Sequence, residues 1–260
     1  MNKQHLFTTV KILLFIFGIL TIIFICDKTI PVLIDNEFKC WNFKKGFHIL
    51  TYTPGYYVLT PKDYYCAENF AVEMWAGGGS GSCSSGRYPD CVTRGGGGGA
   101  YISFNIKTYM KNIIINVGKG GIGNIISISN CIGKSGENSW FNSYNLNFTV
   151  EGGTTGCLNT TNKGKGGYVF THTEQNIIAI NGTNGTDSLC TYGSTIYMYC
   201  SGSGGSSGLY NNGGRTICSY YGYGVDDGKI PGGGGNSHTC NPYLNLSKGG
   251  DGLIKIYLSI

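Results

Sequence analysis

The chain has 260 residues, 44 of them Gly and 11 Cys, with 13% charged residues and a formal net charge of +5. It carries 19 Tyr and 12 Phe, which is too aromatic and too weakly charged for a disordered polymer. The glycines follow no G-X-Y period, which excludes collagen. The basic residues are scattered, with only Lys44 and Lys45 adjacent, so the clustered patch that faces nucleic acid phosphates is missing.

The first element is an uncharged run, Ile12 to Cys26, of 15 residues. It is short for a hydrocarbon core of about 30 Å, and it lengthens to Leu6 if the Lys11 ammonium reaches the headgroups. We expect residues 6–26 to be an uncleaved anchor in a lipid membrane. A cleaved signal peptide competes, but Phe24 and Cys26 are poor residues for a cleavage site. Lys3 and Lys11 precede the run, which keeps the N-terminus cytoplasmic and sends the rest outside as a single-pass type II protein. The expected organisation is a tail and signal-anchor over 1–28, a stalk over 29–54, and a glycine-rich β ectodomain over 55–260.

Beyond the stalk the strand-like runs are short. They are Phe70–Trp75, Ala100–Ile106, Asn112–Val117, Leu146–Glu151, Gly167–Thr171, Asn176–Asn181 and Leu253–Ile260. In the last run Ile254, Ile256, Leu258 and Ile260 alternate with Lys255, Tyr257 and Ser259, the period of a half-buried strand. No amphipathic helix follows residue 30. The fold class is therefore all-β. The glycine runs between strands, Gly95–Gly99 foremost, are bounded by apolar strands and cysteines. That favours ordered segments, in which the missing side chain lets backbones approach closely, over flexible linkers. Extended left-handed glycine helices lying side by side are one such arrangement.

The segments VEMWAGGGSG, RGGGGGAYISFNI, IIINVGKGGIGN, GENSWFNS and VEGGTTG, with the closing GGDGLIKIYLSI, resemble the glycine-rich domain of bacteriophage tail-fibre and other virion proteins. The resemblance covers about residues 55–170 and the last dozen. It implies a β-sandwich-like domain with polyglycine loops, here behind an N-terminal transmembrane helix. GENSWFNS departs from the pattern by placing Trp140 before Phe141. The anchor and the ten further cysteines also depart from it, and they point to a eukaryotic cell or its viruses. The composition, rich in Asn and Ile, is similar to that of large DNA viruses of protists.

Ten cysteines follow the anchor: Cys40, Cys66, Cys83, Cys91, Cys131, Cys157, Cys190, Cys200, Cys218 and Cys240. Their even number permits disulfides in an oxidising compartment. The C-x₂₋₄-C spacing of structural zinc is absent, so no metal is expected. Gly118-Lys119-Gly120-Gly121-Ile122-Gly123 fits G-x-G-x-x-G after a strand, but a β-branched stretch stands where a dinucleotide site needs a helix. Gly133-Lys134-Ser135 lacks the first glycine of a phosphate loop, since Ile128 stands there. No cofactor is expected. His172 and Glu174 read as a surface pair, and Asp226-Asp227 as a solvated turn.

Sequons mark Asn147, Asn159, Asn181, Asn184 and Asn245 as glycosylation candidates. That number is what composition alone produces, so the case rests on topology. Asn181 and Asn184 lie in NGTNGTD, expected as an exposed turn. Tyr210, Tyr220, Tyr221 and Tyr223 stand among Gly, Ser and Asn, a mixture that binding loops use for rigid contact area beside adaptable polar groups; packing beneath the glycine loops is the competing account. No catalytic constellation emerges. The expectation is a non-enzymatic surface or virion attachment protein that presents loops to a glycan or protein, without nucleic acid. The alternative is a self-assembling structural component, with a homo-oligomer open.

Overall fold

The computed structural model describes residues 46–60, 67, 69–84, 93–107, 112–127, 130–143, 146–156, 164–171, 177–192, 197–219, 224–239 and 246–259. The expected anchor therefore lies outside the described residues, and among those described no helix is long and apolar enough to cross a membrane. Phe47–Ser259 forms one compact unit.

The strands in chain order are β1 (Phe47–Tyr52), β2 (Gly55–Leu59), β3 (Asn69–Trp75), β4 (Cys83–Ser84), β5 (Tyr101–Lys107) and β6 (Ile113–Val117). Next come β7 (Asn124–Ser127), β8 (Asn130–Ile132), β9 (Ser139–Ser143), β10 (Leu146–Val150), β11 (Val169–Thr171) and β12 (Ile177–Ile180). The last are β13 (Leu189–Tyr192), β14 (Tyr197–Cys200), β15 (Cys218–Ser219), β16 (His238–Thr239) and β17 (Leu253–Ser259). The seven runs read from the sequence are all strands, with ends shifted by a residue or two. The short stretch β9 was not among them. Neither were β1 and β2. Residues 47–54 fall in the expected stalk, yet Phe47–Tyr52 pairs along its length with β17. In FHILTY, apolar side chains fall on both faces, which hides the strand period.

Two five-stranded antiparallel sheets carry the fold, in the orders β1-β17-β3-β5-β12 and β11-β10-β9-β6-β2. Alternation decides which face is buried. Val72, Met74, Ile102, Phe104, Ile254, Ile256 and Leu258 turn inward from the first sheet, and Ile113, Ile115, Val117, Phe141, Phe148 and Val150 from the second. Phe104 joins the layers: it stacks on Phe148 with centroids 4.0 Å apart and meets Phe141 edge-on at 5.3 Å. The result is a β-sandwich. Smaller sheets, β13-β14-β15, β4-β16 and β7-β8, stand beside it.

The glycine runs are neither sheet nor turn. Segment 76–82 continues β3. Ala76, Gly79 and Ser82 donate their N–H groups to Ala100, Gly97 and Arg94; Gly77 and Ser80 donate to Glu137 and Lys134; Gly78 and Gly81 donate to Gly250 and Ser247. Each step of three along one segment matches a step of three backwards along its partner. This is the three-residue turn of a polyproline II helix, which has no internal hydrogen bonds and must find partners on its neighbours. Segment 95–100 obeys the same rule: Gly95 and Gly98 donate to Thr186 and Thr183, Gly96 and Gly99 to Gly235 and Gly232, Gly97 and Ala100 to Thr154 and Glu151. Its carbonyls accept from segments 76–82, 164–168 and 202–207, so it sits inside a ring of neighbours. Close approach requires the missing Cβ: one on Gly96 would fall on the Gly79 carbonyl, and one on Gly98 on that of Ser206. The antiparallel order places the C-terminal ends of β3 and β12 beside the N-terminal ends of β5 and β17, so the bundle of glycine helices caps one end of the sandwich.

Candidate functional site

The outward positions of β3, β5 and β17 gather the richest chemistry. Trp75 lies opposite Tyr101 on one side and Leu253 on the other; Glu73 lies opposite Ser103 and Lys255. Tyr101 and Tyr257 are diagonal to Glu73, within reach of long side chains. The Tyr101 phenol donates to Glu73 Oε1 at 3.1 Å, and the Tyr257 phenol donates to Oε2. Trp75 is fully buried, with its ring 4.9 Å from Tyr101 and the Lys255 ammonium 5.9 Å above it.

A tight loop, 207–210, closes over this cluster. Gly208 adopts φ +57°, where a side chain would be strained and its Cβ would lie 2.7 Å from that of Tyr101. The Tyr210 N–H donates to the Ser207 carbonyl at 3.2 Å. The turn brings the Tyr210 ring within 5.8 Å of Trp75. Leu209 and Tyr210 remain 76% and 45% exposed. Under the loop, Trp75 Nε1 and Ser207 Oγ are buried without a hydrogen-bond partner. Burial, and then the negative charge of Glu73, pushes the Tyr101 phenol up to about 12. Burial and the hydrogen bond to Glu73 raise the Tyr257 phenol as well. Both phenols are therefore firm donors, and the cluster offers an amphipathic face with one carboxylate held from two sides.

The profile of the glycine-rich domain matches residues 54–256. The chain belongs to the glycine-rich domain family. The search of curated proteins found no match.

Within the glycine-rich domain the sequence candidates separate. Tyr210 stands at the cluster, both packed on Trp75 and open to solvent. Tyr220, Tyr221 and Tyr223 lie outside the described residues, as do His172, Glu174, Asn159 and Asn245. Cys200 and Cys218 are bonded across the β14–β15 pair. Cys83, Cys131 and Cys190 lie on β4, β8 and β13, and Cys40, Cys66, Cys91, Cys157 and Cys240 lie outside the described residues. Among the described residues no three His, Cys, Asp or Glu side chains come together as a metal would require.

Two local expectations change. NGTNGTD is not a turn but an edge helix of the bundle. Its three-residue repeat sends each residue type to its own neighbour. Gly182 and Gly185 face inward, where a Cβ would fall on Gly98 and Gly95. Asn181 and Asn184 accept from the N–H groups of Val169 and Gly166. Thr183 and Thr186 accept from Ser206 and Ser203. Asp226 and Asp227 are not a free turn either; they accept from the backbone N–H groups of Arg215 and Lys248 at 2.6 and 2.7 Å. The glycines at 118–121 also belong to the bundle, Gly121 donating to the Gly78 carbonyl. Glu73, Trp75, Tyr101 and Tyr257 were not singled out from sequence. Their signal was available in the outward positions of the strand runs, but nothing local says which outward residues meet.

Proposed function

We propose that the chain is a membrane-anchored, surface-displayed attachment protein that performs no catalysis. In this reading its glycine-rich domain is the kind carried by tail-fibre and virion proteins, and it presents loops to a glycan or protein on a host or partner surface. The observation that carries the reading is Tyr210. It is a half-exposed aromatic on a tight loop, seated on a buried tryptophan and backed by a hydrogen-bonded scaffold. A rigid aromatic contact loses little entropy on binding, which is what an attachment loop needs.

The full chain, displayed on cells or in lipid vesicles, is tested for binding to candidate host cells before and after enzymatic removal of host glycans. Binding that falls about tenfold in Tyr210→Ala, with an unchanged melting temperature, supports the reading. No binding to any candidate, or binding indifferent to Tyr210, removes it. Protease added to sealed microsomes tests the topology: residues 29–260 should survive intact.

A second reading, a self-assembling surface component, draws on the β1 edge. Phe47 and Ile49 are largely exposed there, and Phe47 lies 5.7 Å from Tyr257. An exposed apolar edge strand invites pairing with another copy. Fibres or lattices that grow with concentration and disappear in Ile49→Lys would favour it over attachment.

A further inference from the structure

The loop over Trp75 is tied to itself and not to the sheet beneath it. Trp75 projects from the outer face of β3, and residues 207–210 lie across it. The Ser207 N–H donates to Asn212 Oδ1 at 2.9 Å, the Tyr210 N–H to the Ser207 carbonyl at 3.2 Å, and the Ser206 hydroxyl to Asn211 Oδ1 at 3.2 Å. Each of these bonds closes within residues 206–212. The two ends are fixed: the Ser206 N–H donates to Thr183 Oγ1 at 2.6 Å, and Asn212 Nδ2 donates to the Lys229 carbonyl at 3.2 Å. Residues 207–211 can therefore lift as a flap without breaking a hydrogen bond to the sheet among the described residues. The closed flap also strands two polar groups. Trp75 Nε1 lies 3.3 Å from where a Cβ on Gly208 would stand, and both it and Ser207 Oγ are buried without a partner among the described residues. An unpaired buried donor disfavours the closed state, and a ligand that brings an acceptor offsets that penalty.

Beside the indole stands a cation without an anion. Lys255 lies directly opposite Glu73 on the adjacent strand, yet the two form no ion pair. Both Glu73 oxygens accept from phenols, those of Tyr101 and Tyr257. The Lys255 ammonium stands over the Trp75 ring instead, 5.9 Å from its centroid, and has no carboxylate partner among the described residues. A carboxylate accepts several donors at once. One that enters beneath the flap meets the Trp75 N–H and the Lys255 ammonium together, and charge-assisted bonds of this kind are the strong ones. The neighbours select its carrier. Tyr210, 45% exposed on the flap, offers its ring to the C–H face of a sugar. Glu73 keeps lone pairs for sugar hydroxyls and repels the further carboxylates of an acidic peptide. We infer that Trp75, Lys255 and the 207–211 flap form the binding position for a saccharide that carries a carboxylate. The carboxylate sits on Trp75 Nε1 and Lys255, and Tyr210 closes on the sugar ring. The inference rests on the attachment reading above and names the class of glycan that the Tyr210 loop would meet.

The full chain in detergent is titrated by calorimetry with sialyllactose and with a hyaluronan hexasaccharide, whose carboxylates sit on different sugar acids. Lactose is the neutral control and hexaglutamate the acidic peptide. At least one carboxylated saccharide should bind, and lactose should not. Lys255→Gln and Tyr210→Ala should each weaken binding about tenfold with an unchanged melting temperature. Lys255→Arg should retain it, and Lys248→Gln should leave it intact. Amide exchange read by mass spectrometry should show residues 208–211 opening ahead of 202–206 and 212–214 in the free chain, and slowed by bound saccharide. No binding of either saccharide, equal binding of lactose, binding of hexaglutamate alone, or equal binding by Lys255→Gln overturns the inference. So does exchange at 208–211 no faster than at its anchors. The attachment reading fails separately. Saccharide binding by a chain that adheres to no candidate cell removes that reading and leaves this site standing. Adhesion lost in Tyr210→Ala but unchanged in Lys255→Gln does the reverse.

Discussion

Gly97 lies so close to Lys165 that a Cβ on the glycine would fall on the lysine's carbonyl oxygen. The two residues belong to adjacent helices of the bundle, and the contact is backbone against backbone. No rotamer change relieves it. The Gly97 N–H meanwhile donates to Thr154 at 2.9 Å, so the segment cannot slide without breaking its ladder. A glycine in a tether behaves differently, because alanine there stabilises by about 0.4–1 kcal/mol through the unfolded state. Gly97→Ala is therefore expected to destabilise by about 1–3 kcal/mol, as overpacking does. A melting temperature that is unchanged or raised would refute the packed bundle.

The edge helix 181–187 makes a graded prediction. Asn184→Ala removes the acceptor of the Gly166 N–H, a part-buried bond of 2.9 Å, and should cost about 0.5–1.5 kcal/mol. Gly185→Ala drives a Cβ into the Gly95 carbonyl and should cost more, about 1–3 kcal/mol. Chemical denaturation of the two variants checks the order. An NGT repeat that acted as a loose loop would tolerate both equally.

The phenols at Glu73 set an alkaline limit. Tyr101 has its ordinary value of 10 raised to about 12 in the fold, and Tyr257 is raised too. Below pH 10 folded and unfolded chains both keep the Tyr101 proton, so the contribution is full. Between about pH 10 and 12 the unfolded chain releases a proton that the folded chain retains, so stability falls as pH rises. Thermal melts across that window should show the fall, and Tyr101→Phe should flatten it. An equal slope in the variant would mean that the phenol titrates freely in the fold.

Cys200 and Cys218, bonded across adjacent strands with a sequence separation of 18, close a loop that includes Tyr210. Cross-linking a loop of that length contributes about 3 kcal/mol. Cys200→Ser with Cys218→Ser should lower stability by about that amount. It should also loosen the 207–210 turn, detectable as faster amide exchange at Tyr210. Unchanged exchange would show that the turn is held by Trp75 and Tyr101 alone.

The sequence by itself determined the all-β class, seven of the strands and the packed character of the glycine runs. These are local properties. A period of two is printed in residues such as Ile254 and Ile256, and a run such as Gly95–Gly99 pinned between strands has little use for its length unless backbones close around it. β1 escaped because Phe47 and Leu50 fall on opposite faces, so no period survived. NGTNGTD was legible as polar and small, but its repeat of three has meaning only beside the two neighbours whose N–H groups Asn184 and Thr186 satisfy. The tertiary structure alone decided the pairings. A glycine helix makes no hydrogen bonds to itself, so nothing within segment 76–82 names segments 95–100, 134–137 and 247–250 as its partners. The same holds for the site. Tyr210 and Lys255 both reach Trp75 through strand order and loop closure, and these are set by how a whole chain fills one core and not by any stretch of it.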